Sequence, residues 1–170
     1  SGLELRPSDD FFDALAHLDE YVSLIAHLNR VMLVMAKVAS DLRYLSSGAV
    51  GEARLPALQA GSSAMPGKVN PVIPEAVIQA SAQAIACDTA LLQAAQGGYL
   101  ELNTMLPFAA HNLLQAIQLL AASVTIFGEK CITGLEATGR GPELLQSGLM
   151  LATALAPVVG YEQATKIAKA

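Results

Sequence analysis

From Ser8 to Ser47 the chain runs without a proline or a glycine, and two apolar stripes run along that stretch. The first reads Phe11, Leu15, Leu18, Val22, Ile25, Asn29, Met32, Ala36 and Ala39, with steps that alternate between three and four residues. The second reads Tyr21, Leu24, Leu28, Val31, Met35, Val38, Leu42 and Leu45 on a neighbouring face. This spacing predicts one helix contacted by partners on more than one side. Ser8 is the expected N-cap, with Asp9 and Asp10 at the positive end of the helix. Some forty residues would make a rod of about 60 Å, too long for a small globule. The fold class that follows is an all-α, long-helix bundle shared among subunits.

The rest of the chain fits that class. Gly48 ends the first helix, and a loop runs to about Pro71. Pro71, Pro74 and Glu75 open a second helix that reaches Gln96 and stops at Gly97-Gly98. A short link leads to Pro107 and a third helix through about Cys131. The glycines at 134, 139 and 141 and Pro142 mark a composition shift, taken as a domain boundary. Residues 1–139 are then the bundle unit, with a functional loop at 59–71. Residues 140–170 are the start of a small helical domain, with short helices near 142–155 and 160–169. No strand pattern of consequence is present. The missing initiator methionine and the helical pattern that continues to Ala170 suggest part of something longer.

Charge narrows the partners. Between Lys68 and Lys130 there is no Lys or Arg, and 53% of all residues are hydrophobic. So uncharged a stretch is expected to be covered by other subunits. A membrane reading competes for the same data. Its best candidate, Leu113 to Phe127, is short of the roughly 20 residues a span needs and contains Gln115, Gln118, Ser123 and Thr125. No signal peptide is expected, because Arg6, Asp9 and Asp10 precede the first apolar run. The net charge of −5 argues against nucleic acid. Cys87 and Cys131 have neither metal-ligand nor disulfide spacing, so they read as buried free thiols of a reducing, cytoplasmic compartment. No metal site is expected.

Gly61-Ser62-Ser63-Ala64-Met65-Pro66-Gly67-Lys68-Val69-Asn70 is the one segment with the parts for chemistry. Gly61 and Gly67 permit unusual backbone angles, and Pro66 stiffens what lies between. A serine can act as base towards a carbon next to a carboxylate, while Lys68 and Asn70 can hold that carboxylate as its charge grows. The plain alternative is a polar interhelical loop whose serines cap turns. His17 and His27 stand ten residues apart on the long helix, off-register for one face, and read as surface or packing residues. His111, followed by Asn112, is also read as structural.

The string GSSAMPGKVN resembles the signature loop of the fumarase/aspartase superfamily of lyases. SDLRYLSSG before it, LPALQAGSSAMPGKVNPVIPEAV through it, GGYLELNTMLP after it and HNLLQAIQLL in the third helix extend the likeness over nearly the whole chain. LPALQAGSS with NPVIPE is more similar to aspartate ammonia-lyase than to class II fumarase. The resemblance implies a cofactor-independent elimination of ammonia from L-aspartate to give fumarate. Ser62 would be the base that takes the Cβ proton. Lys68 and Asn70 would bind the substrate carboxylate and stabilise the aci-carboxylate intermediate, with Ser63 assisting within the loop. Glu75 corresponds to the carboxylate that pairs with a histidine of another subunit. The implied assembly is a homotetramer with active sites shared among three subunits and a small dicarboxylate as substrate, so this piece alone would be inactive. Class II fumarate hydratase is the alternative, and a non-catalytic helical-bundle subunit is another. One departure stands out. Relatives of this branch usually carry a longer segment with Pro-Arg after LSSG, where this chain reads Ala49-Val50-Gly51-Glu52-Ala53-Arg54.

Overall fold

The structure, a computed structural model, describes residues 2, 4–59 and 64–169. Three long helices make the body. They are α2 (Asp19–Leu45), α3 (Val72–Ala95) and α4 (Leu106–Phe127), the last continued by a π-turn over Gly128–Ile132. The short helix α1 (Phe11–Ala16) precedes them, and α5 (Arg140–Ser147), α6 (Met150–Val159) and α7 (Tyr161–Lys169) follow. Two-residue strands β1 (Ala53–Arg54) and β4 (Glu136–Ala137) pair antiparallel, as do β2 (Gly98–Tyr99) and β3 (Leu102–Asn103).

The core shows how the long helices run. In one cluster Leu18, just ahead of α2, and Ile25 of its first part meet Cys87, Leu91 and Ala94 from the end of α3, with Ala109, Leu113 and Ala116 of α4. In the other, Ala39 and Leu42 from the end of α2 meet Val77 near the start of α3, with Phe127 and Cys131. Helix α3 is therefore antiparallel to both neighbours. Its buried line, Pro74, Val77, Ser81, Ala84, Cys87, Leu91 and Ala94, is rich in small side chains. That lets the helices approach closely, and Ser81 Oγ lies within reach of two carbonyls, Val77 of its own helix at 2.8 Å and Met32 of α2 at 3.2 Å. From Leu18 onward the first stripe of the sequence faces this core, whereas Tyr21, Leu24, Val31 and Val38 of the second stripe are exposed.

Four expectations need correction. The first helix breaks at His17–Leu18, where both residues leave helical geometry. Its cause is tertiary: Leu18 is 1% exposed and buried against α3 and α4, and α1 turns aside to lie on β3. The cap is Asp10, not Ser8, because its carboxylate accepts the Phe12 and Asp13 N–H groups at 2.9 and 3.1 Å. With 27 residues, α2 spans about 40 Å rather than 60. The helix expected over 142–155 divides at Gly148, which takes extended geometry between α5 and α6. The third helix runs as expected, from Leu106–Pro107 through α4 and the π-turn to Ile132. By length and composition alone, Asp19–Leu45 and Leu106–Ile132 are each long and apolar enough to cross a membrane.

Between β2 and α4, Asn103 is 1% exposed and bonds in two directions. Its Nδ2 donates to the Ala94 carbonyl at the end of α3, and its Oδ1 accepts the Met105 N–H at the start of α4. One side chain thus closes the turn that makes α4 fold back along α3. Asn103→Leu would leave the Met105 N–H without its partner and take from the Ala94 carbonyl one of its two donors, the other being the Gly97 N–H at 3.0 Å. A loss of about 1–3 kcal/mol is expected, read as a lowered unfolding midpoint.

Candidate active site

The stretch from Leu55 to Pro71 leaves the body between β1 and α3 and returns close to where it left. Leu55, Pro56 and Pro71 line a common crevice with Lys130 and Cys131 of the π-turn. Burial pushes the Cys131 thiol up from its ordinary value, so it stays protonated at neutral pH and is a poor nucleophile. Cys87 is also buried and free, and its Sγ donates to Gln115 Oε1. Among the described residues no group of three or more His, Cys, Asp and Glu side chains is placed to hold a metal ion.

The returning arm has a defined turn. Lys68 N–H donates to the Met65 carbonyl at 3.2 Å, with Pro66 and Gly67 between them and Gly67 at φ +81°. Proline followed by a residue of positive φ is the pattern of a type II turn, which glycine adopts without strain. The turn sends Lys68 outward, exposed and without a side-chain hydrogen bond or ion pair among the described residues. Two residues on, Asn70 is exposed as well, and its carbonyl accepts the Val72 N–H at 2.9 Å as α3 begins.

Asn70 opens on a cavity of about 350 Å³ that it shares with Ser46, Ser47, Arg54 and Thr138. Neither Lys68 nor Glu75 lines that cavity. Glu75 lies in the first turn of α3 and pairs with Arg43 Nε of α2 at 3.5 Å, both side chains half-exposed. A carboxylate has several acceptor sites, so this pairing leaves room for a second partner. Ser62 and Ser63, the expected base and its neighbour, lie outside the described residues.

Among the described residues, a cation thus ends the stiffened turn and a carboxamide two residues on lines a polar cavity. Such a pair can hold one carboxylate and favour added negative charge on it. The cavity's other polar members escaped the sequence reading as site residues. Arg54 stood in the segment already noted as unusual, but Thr138 sits in a glycine-rich junction that carried no chemical signal.

The histidines differ from such a site. His27 Nδ1 is 2.7 Å from the Ser23 carbonyl of its own helix, His17 faces Asp13 at 3.8 Å, and His111 is exposed on α4.

Comparison with known proteins gives a consistent set of likenesses. Residues 1–86 match the family model described as Lyase. A fumarate hydratase class II from Pseudomonas aeruginosa is 45% identical over 99% of this chain and 38% of its own length. An aspartate ammonia-lyase from the same organism is 44% identical over 99% of this chain and 36% of its own length. The chain therefore spans less than two-fifths of each of these curated relatives. Among solved structures, a fumarate lyase:delta crystallin protein from Brucella melitensis in native form superposes with a TM-score of 0.90. It is 43% identical over 99% of this chain and 40% of that one.

Proposed function

This chain belongs to the fumarase/aspartase superfamily of lyases, and on that premise we propose that the protein eliminates ammonia from L-aspartate to give fumarate. What supports the proposal is the Pro66-Gly67 turn, with Lys68 exposed at its end and Asn70, two residues on, lining the cavity. In this reading the two side chains grip the carboxylate next to the carbon that loses its proton. As that proton leaves, charge moves onto the carboxylate to form an aci-carboxylate, and the ammonium and carboxamide bind it more tightly than the ground state. Interaction that grows along the reaction lowers the barrier.

Ser62 takes the Cβ proton, and Ser63 hydrogen-bonds within the same loop. A free hydroxyl is a weak base, so Ser62 depends on the nearby Lys68 charge and backbone N–H groups to act as alkoxide. The leaving amine departs from the neighbouring carbon with its bonding electrons, and the Cα–Cβ double bond of fumarate forms. Glu75, oriented by Arg43, supports a histidine supplied by another subunit. No cofactor takes part in these steps.

Subunit sharing accounts for the exposed stripe on α2. Tyr21, Leu24, Val31 and Val38 are exposed apolar residues of α2, which a second copy's helices would cover in a homotetramer. A bundle interior, rather than lipid, is the proposed surrounding of the two membrane-length helices, in a cytoplasmic protein. Residues 1–139 serve as the bundle portion and 140–170 as part of a small C-terminal helical domain.

Class II fumarate hydratase activity is the second reading. Identity to a relative of that name equals identity to the ammonia-lyase within one percentage point. The two differ only in the group that leaves. The discriminating experiment offers the full-length protein L-aspartate and L-malate separately and follows fumarate by ultraviolet absorbance. Fumarate from aspartate alone is the expected result. Fumarate from malate alone would assign the hydratase reading, and silence on both would overturn the elimination chemistry.

A further inference from the structure

The segment that enters the loop is held by residues far along the chain. Ala53 and Arg54 pair with Ala137 and Glu136, and Arg54 Nη1 reaches Glu136 Oε2 at 3.2 Å across the ladder. That ion pair is exposed and adds little on its own. Thr138 closes the end of the ladder. Its N–H donates to the Glu52 carbonyl at 3.0 Å, and its Oγ1 donates to the Gly51 carbonyl at 2.6 Å. The same Oγ1 accepts the Arg140 N–H at 3.2 Å as α5 begins. Gly51 holds φ +67°, a left-handed conformation that glycine takes at no steric cost.

From the end of the strand pair, this hydroxyl therefore joins two things: the wall formed by residues 51–56 and the start of α5. Thr138 also lines the cavity onto which Asn70 opens, together with Gly51, Ala53 and Arg54 of that wall. Two strands of two residues are a weak connection by themselves. Without the hydroxyl, the Thr138 N–H bond, the two-residue ladder and the exposed Arg54–Glu136 pair would be left to hold the wall.

We propose that Thr138 is a positioning residue for the elimination site, its hydroxyl fixing the 51–56 wall of the cavity at which Asn70 presents its carboxamide. The inference rests on the reading of Asn70 as a carboxylate ligand given above. Only a hydroxyl can donate to Gly51 and accept from Arg140 with one atom. Serine keeps that ability, whereas valine keeps the shape and loses both bonds. A wall freed in this way shifts the foot of the loop. A misplacement of about 1 Å in a site of this kind costs up to ~10²-fold in rate. Because the affected contact strengthens in the transition state, the loss falls on kcat more than on KM.

The test measures fumarate formation by the full-length protein and by its Thr138→Val, Thr138→Ser and Asn70→Ala variants, each normalised to folded oligomer. Thr138→Val is expected to lose about tenfold or more in kcat with KM little changed. Thr138→Ser is expected to stay close to the parent. If the valine variant does not fold, Thr138→Ala takes its place with the same expectation. A hydroxyl-free variant with parental kcat per folded protein would overturn the proposal, and so would a serine variant as impaired as the valine one. A lower unfolding midpoint with unchanged kcat would also overturn it, as the mark of a purely structural residue. Asn70→Ala reports on the underlying reading separately. Full turnover there would remove Asn70 from the site whatever Thr138 does.

Discussion

Lys68→Ala in the full-length protein is expected to lower kcat for fumarate formation by about 10³-fold. The side chain is exposed at the end of a type II turn, with no ion pair among the described residues to be broken by its removal. Stability should therefore change little, and the loss should be chemical. Removing one neutral donor from a site where negative charge develops costs roughly 10²–10³-fold in kcat, and an ammonium contributes a charge-assisted bond of about twice the strength of a neutral one. The loss should reside in kcat, because the carboxylate carries more charge in the aci-carboxylate than in the substrate. Lys68→Arg should recover only part of it, since a planar guanidinium is longer and delivers its charge from a different place. Steady-state kinetics on the two variants check this. A change confined to KM would mean that Lys68 binds substrate and transition state equally.

Ser62→Ala should be as damaging, with turnover lowered by about 10³-fold, since a positioned general base contributes roughly 10²–10⁴-fold. Its diagnostic partner is Ser63→Ala, for which a much smaller loss is expected, because in the proposed mechanism Ser63 serves the loop and not the proton. The two serines are chemically identical and adjacent, so the contrast isolates the role and not the residue type. Exchange of the substrate's Cβ hydrogen with solvent deuterium, followed by NMR, should be lost in Ser62→Ala and retained in Ser63→Ala. Equal turnover of the parent and Ser62→Ala would remove Ser62 as the base.

Much of the fold could be read from punctuation. Pro71, Pro74 and Glu75 announce α3, Gly97-Gly98 ends it and Pro107 opens α4, because these residues act through local backbone geometry and the helix field. Pro66-Gly67 likewise marks the turn that presents Lys68 and Asn70. What escaped is set by tertiary contact. No proline or glycine marks the break at His17–Leu18; the demand of Leu18 for the core makes it. The β2–β3 turn depends on Asn103 bridging two helix ends, which alternation cannot reveal in strands of two residues. Thr138 and Gly51 are distant in sequence, so neither hints at the other. The two stripes on α2 were legible as stripes, but only the packing shows that the first faces α3 and α4 while the second is split, with Leu28, Met35 and Leu42 on the core and Tyr21, Leu24, Val31 and Val38 exposed.

The central claim is that the Lys68–Asn70 turn recognises an aci-carboxylate, and a nitronate tests it most directly. The ionised form of a three-carbon nitro acid places two negative oxygens where the aci-carboxylate would have them, beside an ordinary carboxylate. Transition-state analogues bind about 10²–10⁸-fold more tightly than substrates. We therefore expect the nitronate to inhibit the full-length protein with a Ki at least about 10²-fold below KM, and this advantage to collapse in Lys68→Ala. A nitronate bound no more tightly than substrate, or equally well by the parent and Lys68→Ala, would contradict the account.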